Sequence, residues 1–257
     1  MQNQVPISVT VITFNEEKNI SAAIRSVQWA QEILVIDSGS TDQTRSLAES
    51  LGAKVLYNPW KGYGQQKNFA QTQARHDWIL SLDADEVVPH ELADEIQETL
   101  QKNGKSVFGY TLPRKTFYLG RWISHGGWYP NPVMRLTFRP YSKWTEPHVH
   151  EVLEVEGPTR SLQQPLHHYS FKNIESQVLT NLRFSSLGAR DLKKRGVKPS
   201  LSRILLKPVG KFLETYIIKR GFMDGIPGLF ISINAAHSMF LKQAYLWEEN
   251  LHENSHY

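Results

Sequence analysis

An open, doubly wound α/β sheet followed by a helical extension is the fold class that this sequence predicts. Three observations carry it. Short β-branched runs alternate with segments of helical period through the first part of the chain. Three of those runs end in polar or acidic residues. The last third shows helical period alone, interrupted by a cluster of glycines around one proline.

Ile7–Thr13 is rich in β-branched residues and reads as a strand, with Phe14–Asn19 as the turn. Apolar residues at Ile20, Ile24, Val27 and Ala30 have helical spacing. Glu32–Asp37 is a second strand, and Ser38–Asp42 a loop that becomes a helix N-cap. Thr44–Leu51 is a helix stopped at Gly52, Lys54–Tyr57 a third strand, Gln65–Ala74 a helix and Trp78–Leu82 a fourth strand. No Gly-x-Gly-x-x-Gly turn follows the first strand, which disfavours an ordinary dinucleotide-binding fold.

In such a sheet the strand ends Thr13–Glu17, Asp37 and Asp83–Glu86 share one edge, where ligands bind. Asp83 and Asp85 are two residues apart, so in extended chain their side chains point the same way. Hard oxygen donors converging there suit Mg²⁺ or Mn²⁺ holding substrate phosphates. The competing reading is a polar strand end before a helix opened by Pro89.

Composition sets bounds. The 257 residues are 40% hydrophobic and 21% charged, as in soluble globular proteins. Without cysteine there are no disulfides and no thiolate metal sites. The N-terminal residues lack the pattern of a signal peptide, no window has the apolar length of a membrane span, and a cytoplasmic protein is expected.

Val-Ile-Thr-Phe-Asn-Glu-Glu (11–17), Ile-Leu-Val-Ile-Asp-Ser-Gly-Ser-Thr-Asp (33–42) and Trp-Ile-Leu-Ser-Leu-Asp-Ala-Asp-Glu (78–86) together resemble the family 2 glycosyltransferases, over roughly residues 5–110. The resemblance implies the GT-A fold, with a doubly wound mixed sheet. A closer resemblance, to lipopolysaccharide inner-core glucosyltransferases that add β-1,4-glucose to heptose, rests on Gln66-Lys67-Asn68, on Trp144 with His150-Glu151, and on Arg220-Gly221-Phe222-x-Asp224-Gly225.

The resemblance implies roles. Thr13 and Glu16 would surround the nucleotide base and ribose, and Asp37 would accept from the uracil N–H. Asp83 would lie near ribose and metal, Asp85 would be the direct metal ligand, and Lys67 would face the diphosphate or Asp83. The alternatives from the residues alone are that Asp37 caps its own loop and that Lys67 is a solvated helix face. Inverting transfer needs one base to take the acceptor proton. Glu151 is expected in that role, with His150 orienting it and Glu146 as the alternative. A histidine downstream often completes a GT-A metal site; His167 is expected, with His168 as alternative. A zinc site from His148, His150 and His167 is the disfavoured rival.

Val107–Lys115 reads as a strand, Phe117–Tyr141 as an aromatic- and glycine-rich binding loop, and Val133–Arg139 as a strand whose Arg135 and Arg139 contact anions or solvent. Helices are expected over Ile174–Arg195, Leu201–Lys219 and Gly228–Trp247, with the Gly221–Gly228 break forming a loop in which Arg220 and Asp224 close over the diphosphate. The expected organisation is a catalytic core over 1–170 (nucleotide-sugar half 1–105, acceptor half 106–170) and a basic helical extension over 171–257. Basic residues crowd that extension and suit an anionic membrane surface rather than nucleic acid.

The resulting expectation is a metal-assisted inverting transfer of a hexose from a UDP-sugar to a glycolipid or lipopolysaccharide core acceptor, on the cytoplasmic face of the membrane. The alternatives are transfer to a polyprenyl phosphate and a non-catalytic nucleotide- or nucleic-acid-binding module. The sugar and the oligomeric state are left open.

Overall fold

The computed structural model describes residues 5–102, 106–146 and 151–254, in two compact units. One comprises Met1–Arg114 with Asn131–His168; the other comprises Lys115–Pro130 with Tyr169–Tyr257.

The first unit opens with β1 (Val5–Thr13), α1 (Ile20–Arg25), β2 (Ala30–Asp37), α2 (Thr44–Ser50), β3 (Lys54–Tyr57), α3 (Tyr63–Gln73), β4 (Trp78–Asp83), β5 (Glu86–Val87) and α4 (His90–Lys102). β6 (Gly109–Tyr118) runs on into the second unit, where β7 (Arg121–Trp122) pairs back on it. β8 (Asn131–Phe138), β9 (Ser142–Trp144), β10 (Leu153–Val155), β11 (Thr159–Ser161) and β12 (Leu166–His168) complete the first unit. The sheet order is β3-β2-β1-β4-β8-β6-β12-β5. β3, β2, β1 and β4 are parallel, β8 is antiparallel to β4, and β6 is antiparallel to β8. This is the expected doubly wound mixed sheet.

Alternation along the central strands explains the layering. Ile7, Val9 and Val11 of β1 and Ile33 and Val35 of β2 face a core shared with Ile20, Ile24, Leu92 and Ile96 from α1 and α4. Ile12, Leu34 and Ile36 face the other side and pack against Ala70 and Phe69 of α3. β-branched runs read correctly here because both faces are buried.

Several local expectations change. The helix after β1 ends at Arg25, because Ala30 already pairs with Val5. β4 ends at Asp83 and the chain turns through Ala84 and Asp85 before Glu86 rejoins the sheet opposite His168. Asp83 and Asp85 therefore do not lie on one extended strand. Within the stretch read as irregular, β7 is a regular strand, and β8 begins two residues before the strand expected from Val133.

The second unit contains α5 (Ile174–Lys194), α6 (Leu201–Phe212), a π-helical turn over Leu213–Ile218, a 3₁₀ turn over Gly221–Asp224, and α7 (Gly225–Asn254). Asn173 and Ser176 cap α5 reciprocally. Tyr118, Ile123 and Ile231 form its core with Trp128 and Phe171, and the Tyr118 hydroxyl hydrogen-bonds Gln177. Asp224, almost fully buried, accepts from the backbone N–H of Ser124 at 3.2 Å and of His125 at 2.7 Å, and meets His125 Nδ1 at 3.1 Å. The glycine cluster begins α7 instead of looping out. Pro227 sits in its first turn, where its missing N–H costs nothing. A Cβ on Gly228 would lie 1.9 Å from the Gly221 carbonyl oxygen, so this approach requires glycine.

Candidate active site

The carboxyl ends of β1 and β2 are laced into one rim. Asn15, at φ 54, accepts the Thr41 N–H at 2.9 Å and gives its own N–H to Ser40 Oγ at 2.9 Å. Glu16 N–H reaches Thr44 Oγ1 at 2.8 Å, and Glu16 Oε2 accepts from Asn19 at 2.6 Å. Asp37 is fully buried, and its Oδ1 accepts the N–H groups of Gly39 and Ser40, both at 3.0 Å. Its carboxylate thus caps its own loop. Thr13 Oγ1 is buried and has no hydrogen-bond partner, a polar atom left at the strand end.

α3 supplies the second wall through three consecutive side chains. Gln66 donates to Ser38 Oγ at 3.1 Å and accepts from Asn58 at 2.7 Å. Asn68 accepts the Trp144 N–H at 3.0 Å and donates to the Trp144 carbonyl at 2.9 Å and to Glu146 at 2.8 Å. Lys67, 5% exposed, places its ammonium 3.2 Å from Asp83 Oδ1, 3.0 Å from Glu151 Oε1 and 4.4 Å from the centre of the Trp144 ring. Helix α3 packs tightly enough that a Cβ on Gly64 would stand 2.0 Å from the Thr145 carbonyl oxygen.

A buried ionic network continues from Asp83. Arg135 Nη2 bridges Asp83 Oδ2 at 2.5 Å and Glu86 Oε1 at 2.7 Å, and Arg114 meets Glu86 at 3.3 Å. Burial alone would raise the Asp83 pKa, but the charges of Arg135 and Lys67 outweigh it and hold the carboxyl far below the usual carboxylate range. Burial likewise opposes the Arg135 charge, and Asp83 and Glu86 overcome it, raising its pKa. Arg135 therefore serves as the internal counter-ion of two carboxylates, while Arg139 is held by Asp77 at 2.8 Å and the Ala74 carbonyl at 2.6 Å.

Charge balance singles out Asp85. Lys67, Arg114 and Arg135 match Asp83, Glu86 and Glu151 one for one. Asp85 lies outside that balance, with His168 Nε2 3.3 Å from its Oδ2 and His168 Nδ1 buried without a partner. Of the two adjacent histidines, it is His168 that reaches Asp85. His167 stands opposite Val87 in the β12–β5 ladder. Among the described residues no group of three metal-binding side chains converges. One carboxylate and one imidazole still fit a hard divalent ion that takes its other ligands from substrate phosphates.

His150 and His148 lie outside the described residues. Arg220 belongs to the second unit, where it is exposed and left-handed at φ 54. Asp224 of the same motif is spent on the 124–125 backbone. The sequence pattern gave no structural role to Glu86 and left Arg135 to anions or solvent, whereas it is buried between two carboxylates. The signal for both was present as the third acid after Asp-Ala-Asp and as an arginine inside an apolar strand.

Comparison with known proteins identifies the family. The model of the family described as glycosyl transferase family 2 matches residues 8–152. A glycosyltransferase of Rickettsia bellii is 34% identical over 96% of this chain and 88% of its own, and one of Rickettsia typhi is 34% identical over 95% and 88%. The lipopolysaccharide core biosynthesis glycosyltransferase LpsC of Rhizobium meliloti is 27% identical over 96% and 94%. The crystal structure of glucosyl-3-phosphoglycerate synthase from Mycobacterium tuberculosis overlaps on 44% of each chain at 29% identity, with a TM-score of 0.36. With the motif loops of β1, β2 and β4 inside the matched span, and relatives that run nearly its whole length, the chain belongs to glycosyl transferase family 2.

Proposed function

We propose that this glycosyltransferase moves a hexose, glucose in the first instance, from a UDP-sugar to a hydroxyl of a glycolipid or lipopolysaccharide core acceptor, with inversion and with Mg²⁺ or Mn²⁺. The observation that carries the reading is Lys67 set between Asp83 at 3.2 Å and Glu151 at 3.0 Å, with Asp85 outside that balance and beside His168. The lipopolysaccharide acceptor is supported by the full-length likeness to LpsC, whose description places that protein in lipopolysaccharide core biosynthesis.

In this reading Thr13, Glu16 and the loop capped by Asp37 form the base and ribose pocket. Asp85 and His168 hold the divalent ion, with His167 as the alternative ligand. Bound there, the ion offsets charge growing on the leaving diphosphate. Lys67 adds a fixed cation beside it. Glu151 takes the proton of the acceptor hydroxyl as that oxygen attacks the anomeric carbon and the diphosphate departs from the opposite face. His150 orients Glu151. The protein acts as a peripheral one at the cytoplasmic face of the membrane, and among the described residues no helix is long and apolar enough to cross it.

The test is release of UDP from UDP-hexoses, with and without Mn²⁺, on the wild type and Asp85→Asn. Slow hydrolysis that needs both metal and Asp85, falling at least ~100-fold in the variant, is expected. Release that ignores chelation and the substitution would overturn the metal assignment, and failure to bind any nucleotide would overturn the donor.

A further inference from the structure

We infer that α6 and the π-helical turn after it form an in-plane docking surface for an anionic lipid bilayer. It deepens the proposed function, resting on the lipid-anchored acceptor for its purpose but not for its evidence.

No residue of α6 is buried. Leu201, Leu205, Leu206 and Val209 are 63%, 59%, 68% and 58% exposed, and Leu213 and Ile218 continue the apolar surface at 49% and 75%. At 3.6 residues per turn, Leu201 to Leu213 of this set fall within an arc of roughly 140°. Ile204 and Pro208 lie outside that arc and are half-buried where α6 runs along α7. About two-fifths of the helix circumference, with Ser202 its one polar residue, is thus apolar and uncovered, more than scattered surface leucines explain.

The charges around it have one sign. From Lys193 to Arg220 the sequence carries nine lysines and arginines and a single acid, Glu214. Glu214 is already held by Lys211 at 3.0 Å and Lys219 at 2.5 Å. By the same count Arg203 lies about 60° and Lys207 about 100° beyond the Leu206 edge of the arc, one turn apart on the side that α7 leaves open. An apolar face bordered by cations matches the boundary between acyl chains and anionic headgroups. Nucleic acid would leave the leucines unused. A second copy would set the cations of one α6 against those of the other with no acid to separate them.

The experiment is flotation of the full chain with phosphatidylcholine vesicles, with and without phosphatidylglycerol. It compares the wild type with Leu205→Glu/Val209→Glu and with Arg203→Ala/Lys207→Ala, each checked for an unchanged melting curve. Expected is binding to the anionic vesicles alone, weakened about tenfold or more by either pair, with salt dependence reduced in the cation pair. Binding that survives Leu205→Glu/Val209→Glu, or no binding to either vesicle, would overturn the inference. So would a dimer in vesicle-free sedimentation that Leu205→Glu/Val209→Glu splits, which would assign the surface to a second copy. UDP release measured on the same samples separates the two readings. Release without vesicle binding removes the docking surface alone, and vesicle binding without nucleotide binding removes the catalytic reading alone.

Discussion

Replacing Arg135 by methionine keeps most of the side-chain length and removes the cation between Asp83 and Glu86. Both carboxylates would then face a mostly buried site with Arg114 and Lys67 as their remaining partners. Breaking a buried pair from one side costs about 3–5 kcal/mol, so Arg135→Met should lower unfolding free energy in urea by that order, and Arg135→Lys by less. The sign with pH is fixed by Asp83, whose folded pKa lies below its unfolded value. Its contribution is complete above the unfolded pKa of about 4 and is lost only as the pH falls into strong acid, so this carboxyl adds no pH dependence to stability near neutrality. The resemblance already set Asp83 and Asp85 apart, but the residue spacing alone did not. A two-residue spacing predicts a shared direction only while the chain stays extended, and the turn at Ala84 sends one acid to Lys67 and the other to His168.

At the scale of elements, α3 is the piece that sets distance. Its Gly64 backs onto the Thr145 carbonyl, and its Asn68 clasps Trp144 from both sides. Gly64→Ala forces α3 away from the segment that leads to Glu151. A shift of about 1 Å at a reacting group costs on the order of 100-fold in rate, so turnover should fall by roughly that factor while the donor KM changes little. Gly210→Ala on α6, where an added Cβ meets nothing within 4 Å, should leave hydrolysis unchanged. Steady-state kinetics of the two variants check both. The strands around α3 were legible because each is dominated by apolar and β-branched residues. β6 and β8 were legible too, but β8 was read only from Val133, because Pro132, opposite Pro113 in the ladder, ordinarily argues against a strand. The start of α7 was hidden for the opposite reason: Gly225, Pro227 and Gly228 are turn formers that also serve a first helical turn.

Over the whole molecule, the chain passes between its units three times: inside β6 after Arg114, back after Pro130, and out again after His168. A change of composition near residue 170 is visible in the sequence. Membership of 115–130 in the helical unit is not, because it rests on contacts such as Tyr118 with Gln177 and the 124–125 backbone with Asp224, which leave no local pattern. A fragment ending at His168 would keep 115–130 and lose all of those partners. It should be insoluble or lack a cooperative melt, whereas the full chain melts cooperatively; differential scanning calorimetry decides this. The family-level chemistry was legible throughout, since it depends on short loops at strand ends where each motif sits in consecutive residues.

The bond between Ser124 and Asp224 spans 100 residues. During synthesis, at about 5–20 residues per second, Ser124 is made roughly 5–20 s before the acid that will hold it. For that interval Tyr118, Ile123 and Trp128 have no core to enter, while the first three strands of the other unit can already pair. The fold therefore ripens from both ends of a delay. Its vulnerable period belongs to a middle segment waiting on the ribosome for its own C-terminal helices.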